Sequence, residues 1–447
     1  GSTFSMRANN LSRGQRLYRR AKEIIPAGTQ LLSKRPEMFA PDVWPPYYQK
    51  AKGCLLTDVD GVTYRDFTTM GIGSCLLGYA CDPVDDAVVE TIRNGTMSSL
   101  NSPLEVELAE NLLQIHPWAE ATRFTRTGGE AMAVAVRIAR AATGRSKVAI
   151  CGYHGWHDWY LSVNLGNSEG LDGQLLPGLA PNGVPRQLAD TAFAFHYNCI
   201  DELDVLLSQQ GKEIAAIVME PFRYAQPKDG FLDKVLELAV KHQVVLIFDE
   251  ITSGWRYALG GIHQRLGTIP HIAVFAKAMS NGYPMGAIIG KNAVMQASEA
   301  SFISSTYWTE ATGPAAAIAT IRAMADARIL ETIRAASQRV AAGLREAAEK
   351  QALALECVET EAMVILRFNL GEDANAAKTW YTKRMLEKDY LAGGQFYATA
   401  AHTAAEVESF LSAASETLGE LALILRSGTL RTELTTPEAH QGFQRLT

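Results

Sequence analysis

No run of apolar residues in this 447-residue chain approaches the roughly 20 needed to cross a bilayer, and no basic-then-apolar leader opens it. The expectation is a cytosolic protein with no membrane partner. The six cysteines, at 54, 75, 81, 151, 199 and 357, include no CxxC pair. With most of them in apolar surroundings, reduced thiols are the expected state, and zinc is disfavoured. Blocks of like charge are absent as well. The formal net charge of −6 is spread along the chain without a basic stripe, so nucleic acid is not an expected partner. There is no internal repeat or low-complexity tract. No GxGxxG follows a strand with an acidic residue at dinucleotide spacing, which disfavours a nicotinamide-dependent dehydrogenase.

What the chain does have is a series of short apolar runs separated by helical periodicity. Val148–Cys151, Ile214–Met219, Val244–Phe248, Ile272–Phe275 and Ala287–Ile289 read as buried strands. Helices are expected over Glu105–Ile115, Glu130–Ala142, Leu232–Val240 and Gly313–Ala325. Alternation of this kind predicts an α/β fold whose mostly parallel sheet is flanked by helices. Before it, a short helix near Ser12–Ala21, a Pro-rich aromatic stretch (Pro41, Trp44, Pro45, Pro46) and a hairpin turning at Asp60-Gly61 read as an arm. After it, further helices around Ala362–Phe368 suggest a smaller α+β domain. The expected division is 1–75 for the arm and part of the small domain, 76–315 for the large domain, and 316–447 for the rest of the small one.

Ligands of such sheets bind beyond the carboxyl ends of the strands, where Glu220, Asp249 and Lys277 fall. A lysine just past Ile272–Phe275 cannot easily extend to water, and burial would lower its pKa toward that of a nucleophile. Alone it reads as an ordinary strand-end lysine. The tail Ser280-Asn281-Gly282-Tyr283-Pro284 shifts the balance, because it lets the backbone turn tightly beside a bulky ligand. Asp249 ends a wholly apolar strand and needs a cation or several donors. A local cap or salt bridge would meet that need. With Lys277 in the same sheet, pairing with a protonated ring nitrogen is the better account, and the two together fit pyridoxal phosphate. Thr127-Gly128-Gly129 opens a long helix and offers a phosphate cradle, although a plain helix cap would look the same. In the aromatic run Cys151–Tyr160, Tyr153 is the candidate for stacking on a ring. His154 and His157 lack a metalloenzyme pattern, so no metal is expected.

With these elements in this order the chain resembles the class III pyridoxal-phosphate aminotransferases of fold type I, and most nearly their glutamate-1-semialdehyde 2,1-aminomutase branch. The segment Asp249-Glu250-Ile251-Thr252-Ser253-Gly254-Trp255-Arg256 joined to the Lys277 segment carries the resemblance, which runs from Ile25-Pro26-Ala27-Gly28 to Ala401-His402-Thr403. It implies that Lys277 carries the cofactor as a Schiff base and that Asp249 binds the ring nitrogen. Ile251 and Tyr153 would press on the two ring faces, and Thr127, Gly128 and Gly129 would hold the phosphate. Glu220 would stand near the phenolic oxygen. Thr306 would supply a phosphate ligand to a neighbouring subunit, which implies a homodimer with shared sites. Many relatives have a hydroxyl residue where Gly129 stands. In the aminomutase an arginine of the arm holds the substrate carboxylate; here Lys34 or Arg35 is the counterpart, and Trp156 is a further candidate for the substrate pocket.

The expected activity is transfer of an amino group between an amino-acid or amine donor and a keto or aldehyde acceptor. The alternative is an intramolecular aminomutase. Racemization also occurs among relatives, and a cofactor-free binding protein on the same fold is disfavoured by intact Lys277 and Asp249.

Overall fold

The computed structural model describes residues 11–443. They form two compact units, one made of the described residues up to Cys81 and from Arg328 onward, the other of Asp82–Ala327. The Ala-rich helix, observed at Thr312–Met324, packs against the Asp82–Arg93 helix and so belongs to the second unit.

In the first unit, Tyr48–Lys52 (β1), Leu55–Asp58 (β2) and Thr63–Asp66 (β3) pair antiparallel. The turn between β2 and β3 falls at Asp60-Gly61. Asp58 Oδ1 accepts from the backbone N–H groups of Asp60 and Val62, both at 2.9 Å, while Gly61 takes φ 84°. Tyr390–Leu391 adds alongside β3 in parallel, and a separate antiparallel sheet joins Leu355–Glu359, Met363–Phe368 and Gln395–Tyr397. Phe67 stacks on Phe410 at 4.4 Å and on Phe396 at 5.3 Å, tying strand and helix residues into one core.

The second unit is built on seven strands: Ala121–Thr125 (β4), Lys147–Cys151 (β5), Ala192–Ala194 (β6), Ile214–Met219 (β7), Val245–Asp249 (β8), Ile272–Phe275 (β9) and Gly286–Gly290 (β10). Their order is β4-β10-β9-β8-β7-β5-β6. The pairs from β9 through to β6 are parallel, and β10 is antiparallel to both of its neighbours. Six strands therefore run one way and β10 runs against them. The carboxyl ends of β4, β5, β7, β8 and β9 all reach the same edge.

Alternation along each strand divides the apolar residues between two cores. Val148, Ile150, Ala216, Val218, Val245, Ile247, Ile272 and Val274 face the Gly128–Thr143 helix, while Ala149, Ile217, Met219, Leu246 and Phe248 face the Phe231–His242 helix. Near-continuous apolar strands are what burial on both faces demands. The two strands absent from the sequence reading, β4 and β6, lack that signature. Ala121-Thr122-Arg123-Phe124-Thr125 is an edge strand, mostly half-buried, and β6 at the other edge has only three residues. Ile247, fully buried in the middle of β8, tests this core. Ile247→Ala should cost about 2–5 kcal/mol, seen as a lower urea midpoint with an unchanged slope; a shift within the error of the measurement would mean that the β8 core does not limit stability.

Candidate active site

Five chain segments leave the sheet at the shared edge. Thr127-Gly128-Gly129 follows β4, Gly152 to His157 follow β5, Glu220 follows β7, Asp249 ends β8, and Lys277 follows β9. All belong to the Asp82–Ala327 unit. The strand period decides which of two adjacent acids serves this edge. Asp249 continues the row of Val245 and Ile247, toward the Gly128–Thr143 helix, whereas Glu250 continues the row of Leu246 and Phe248.

Asp249 is buried, and both of its oxygens are engaged. Oδ1 accepts from the Ile251 N–H at 2.9 Å, and Oδ2 lies 2.8 Å from His154 Nδ1. His154 Nε2 lies 2.9 Å from the Cys151 carbonyl, which only accepts, so Nε2 carries a proton. A carboxylate has about four lone-pair sites, so Asp249 keeps capacity for a further cationic donor.

Glu250 belongs to a different network. Its carboxylate accepts from Ser253 Oγ at 2.9 Å and from the Ile262 N–H at 2.7 Å, and it takes a very close hydrogen bond from His263 Nδ1. Trp118 Nε1 donates to His263 Nε2 at 3.0 Å, which places the His263 proton on Nδ1. Burial pushes the Glu250 carboxyl up, but the hydrogen bonds from His263, Ser253 and the Ile262 N–H outweigh it and hold the group below its ordinary value. The consequence is a fixed loop from Glu250 to Ile262. That loop carries Ile251 and Thr252.

Lys277 begins the Lys277–Ser280 turn with φ 47°, a left-handed conformation uncommon outside glycine and typical of strained functional positions. Its amine reaches Thr252 Oγ1 at 3.5 Å. The side chain retains some exposure at the sheet edge, yet the amine is well desolvated. Burial, then the guanidiniums of Arg223 and Arg256, lower it from 10.5 to about 8, against the opposing pull of Asp249 and Glu220. Arg256 is fully buried and donates from Nε to the Thr252 carbonyl at 2.6 Å.

Glu220 pairs with Arg223 Nη1 at 2.5 Å and accepts from the Tyr153 N–H at 3.4 Å. A side chain at Gly152 would bring its Cβ to 2.7 Å from Glu220 Oε2, and φ there is 107°, so only glycine fits. Tyr153 is half-buried, and its hydroxyl is pushed up chiefly by burial. Gly128 and Gly129 start a 16-residue helix, and no acceptor among the described residues meets their N–H groups. Ile251 packs on Gly128, where an added Cβ would lie 3.0 Å from its Cδ1. His157 covers Gly129 in the same way, with its buried Nδ1 lacking a partner among the described residues. Open helix N–H groups beside an unsatisfied imidazole nitrogen fit a phosphate. Together with a desolvated amine and a buried carboxylate at the same edge, they fit pyridoxal phosphate.

The remaining expected residues are placed as follows. Thr127 closes a capping box with Glu130, its hydroxyl donating to Glu130 Oε1 at 3.0 Å. Exposed Trp156 stacks on His157 at 4.4 Å. Thr306 is exposed in the Thr306–Thr309 turn, whose Trp308 donates to Glu130 at 3.1 Å. Lys34 and Arg35 are in the other unit: Lys34 is exposed, and Arg35 is buried with its guanidinium 5.9 Å from the Phe443 ring. His154, Thr252, Arg223 and Arg256 were not singled out as site residues from the sequence. His154 lay in view within the aromatic run, but nothing local indicated a partner 95 residues away.

A pH titration tests the electrostatics. Carbamylation of Lys277 by cyanate in the cofactor-free protein, quantified by peptide mass spectrometry, should rise through about pH 8, because the free amine forms as protons leave. A rise centred near 10.5 would show an ordinary solvated lysine.

The family "Aminotransferase class-III" matches residues 39–377. A 3-aminobutyryl-CoA aminotransferase of Cloacimonas acidaminovorans (strain Evry) is 34% identical over 370 residues, covering 81% of this chain and 85% of that protein. A glutamate-1-semialdehyde 2,1-aminomutase of Methanocaldococcus jannaschii is 31% identical over 379 residues, covering 82% and 86%. Among solved structures, a transaminase with PLP bound superposes with a TM-score of 0.82 at 26% identity, over 92% of this chain and 98% of that one.

Proposed function

We propose that this chain, which belongs to the class III aminotransferases and so transfers amino groups with pyridoxal phosphate, does so through Lys277 and Asp249. The observation that carries the assignment is the pairing, at one sheet edge, of a lysine lowered to about 8 with a buried carboxylate. When bound, the cofactor supplies an aldehyde that takes up amines and a protonated ring that accepts electrons. Lys277 would hold that aldehyde through its amine and would move a proton at the substrate carbon. Asp249, anchored by His154 and the Ile251 N–H, would hold the ring nitrogen in its protonated form. The N–H groups of Gly128 and Gly129 would hold the phosphate, with Thr127 fixing the helix end. Ile251 and Tyr153 would bracket the ring, and Glu220 would stand at its oxygen side.

The proposal includes a cytosolic homodimer. Thr306 would serve the neighbouring subunit's phosphate, and the exposed apolar Phe302 and Tyr307 beside it form a surface that calls for burial. Transfer between two substrates is the favoured outcome. The relatives named as aminomutases keep an intramolecular version as the second reading. The two are separated by whether the pyridoxamine form needs a distinct carbonyl acceptor to turn over.

Borohydride should fix the cofactor to the protein with loss of its colour, and peptide mapping should find the adduct on Lys277. Lys277→Ala should lower turnover by at least about 10²-fold, the smallest share expected of a lost general base. Full turnover in that variant, or an adduct elsewhere, would refute the assignment.

A further inference from the structure

We propose that His157 is a ligand of the cofactor's phosphate, with its imidazole Nδ1 standing where a side chain at position 129 would otherwise reach. The inference rests on the reading of this strand edge as a pyridoxal phosphate site, and it names the side chain that completes the phosphate end of that site.

The space at Gly129 comes first. Gly129 is the second residue of the Gly128–Thr143 helix, and it is not one of the glycines with positive φ. Its backbone therefore suits any residue, and glycine is a poor helix former. What excludes a side chain is His157. A Cβ added at Gly129 would lie 3.0 Å from Cε1 of the imidazole and 3.3 Å from Nδ1. The helix does without a side chain at this residue, and the imidazole takes the space.

The ring is held there by its surroundings. Trp156 stacks on it, with ring centroids 4.4 Å apart. Gly155, at φ 98°, lets the chain come close to the helix, since a Cβ there would lie 3.6 Å from the Gly129 Cα. The His157 carbonyl accepts from the Tyr160 and Leu161 N–H groups, both at 3.0 Å, which fixes the backbone. Yet the buried Nδ1 has no partner among the described residues. Such an atom costs free energy unless a ligand meets it. The neighbouring carboxylate of Glu130 does not, because it takes hydrogen bonds from the Thr127 hydroxyl and the Trp308 indole instead.

Burial lowers the proton affinity of the His157 ring, against the pull of Glu130 and Asp158. A neutral imidazole still donates from one nitrogen, and an anion at the helix end favours the tautomer with its proton on Nδ1. His157 and the N–H groups of Gly128 and Gly129 then converge on one phosphate.

The test measures retention of pyridoxamine 5′-phosphate and of pyridoxamine by the full chain, using ultrafiltration. His157→Ala should weaken the phosphorylated ligand by about 10- to 150-fold, the range for losing a charge-assisted hydrogen bond, and should leave pyridoxamine within a few-fold. Adding Gly129→Ser to His157→Ala should recover part of the loss, since the space then admits a short hydroxyl side chain at the helix end. In the wild-type protein, NMR of the labelled His157 ring should show Nδ1 becoming protonated with pyridoxamine 5′-phosphate but not with pyridoxamine, a readout that needs no variant to fold. Four results would overturn the inference: unchanged retention of the phosphorylated ligand in His157→Ala, equal losses for both ligands, no recovery in the double variant, or an Nδ1 signal indifferent to the phosphate. Failure of the underlying reading would look different, as wild-type protein that retains neither ligand and in which borohydride fixes no cofactor on Lys277.

Discussion

The contact between His154 and Asp249 is the interaction on which the shared strand edge depends. His154 bridges two partners, with Nδ1 2.8 Å from Asp249 Oδ2 and Nε2 2.9 Å from the Cys151 carbonyl. The strand β5 thus reaches across β7 to hold the carboxylate at the end of β8. Asp249 in turn tempers the positive influence of Arg223 and Arg256 at Lys277.

Much of this was legible in the amino-acid order. The buried strands β5, β7, β8, β9 and β10 announce themselves because both faces are covered, so nearly every residue is apolar. The residues at their carboxyl ends follow from the known habit of such sheets to bind ligands there. The edge strands β4 and β6 were hidden, since an edge strand needs no continuous apolar run. The geometry of the candidate site was readable where one residue stands at a strand end, as with Lys277, Asp249 and Gly128 at the shared edge. It was not readable where the function is a relation between distant residues. The pairing of Arg223 with Glu220 was missed for a different reason: three residues apart and following a strand, it resembles any surface ion pair until the strand order brings it to the same edge as Lys277.

The two acids at the end of β8 show how one site can require opposite treatments of similar groups. Asp249 keeps lone pairs for a ligand, whereas Glu250 spends its oxygens on Ser253, Ile262 and His263 within the protein. The second network joins side-chain and backbone groups of the protein itself. It fixes the loop that brings Ile251 against Gly128 and Thr252 against Lys277. Rigid support of this kind is how a binding geometry acquires precision from residues outside it.

The division of labour between Asp249 and Glu250 depends on nothing but parity along β8. Swapping one aliphatic residue for another in Val245–Phe248 leaves that parity intact, so the segment can drift in composition. Inserting or deleting a single residue there would exchange the destinations of the two acids, with the glutamate turned toward the Gly128–Thr143 helix and the aspartate toward His263 on the opposite face. Selection on this strand therefore acts on its length more strictly than on its letters.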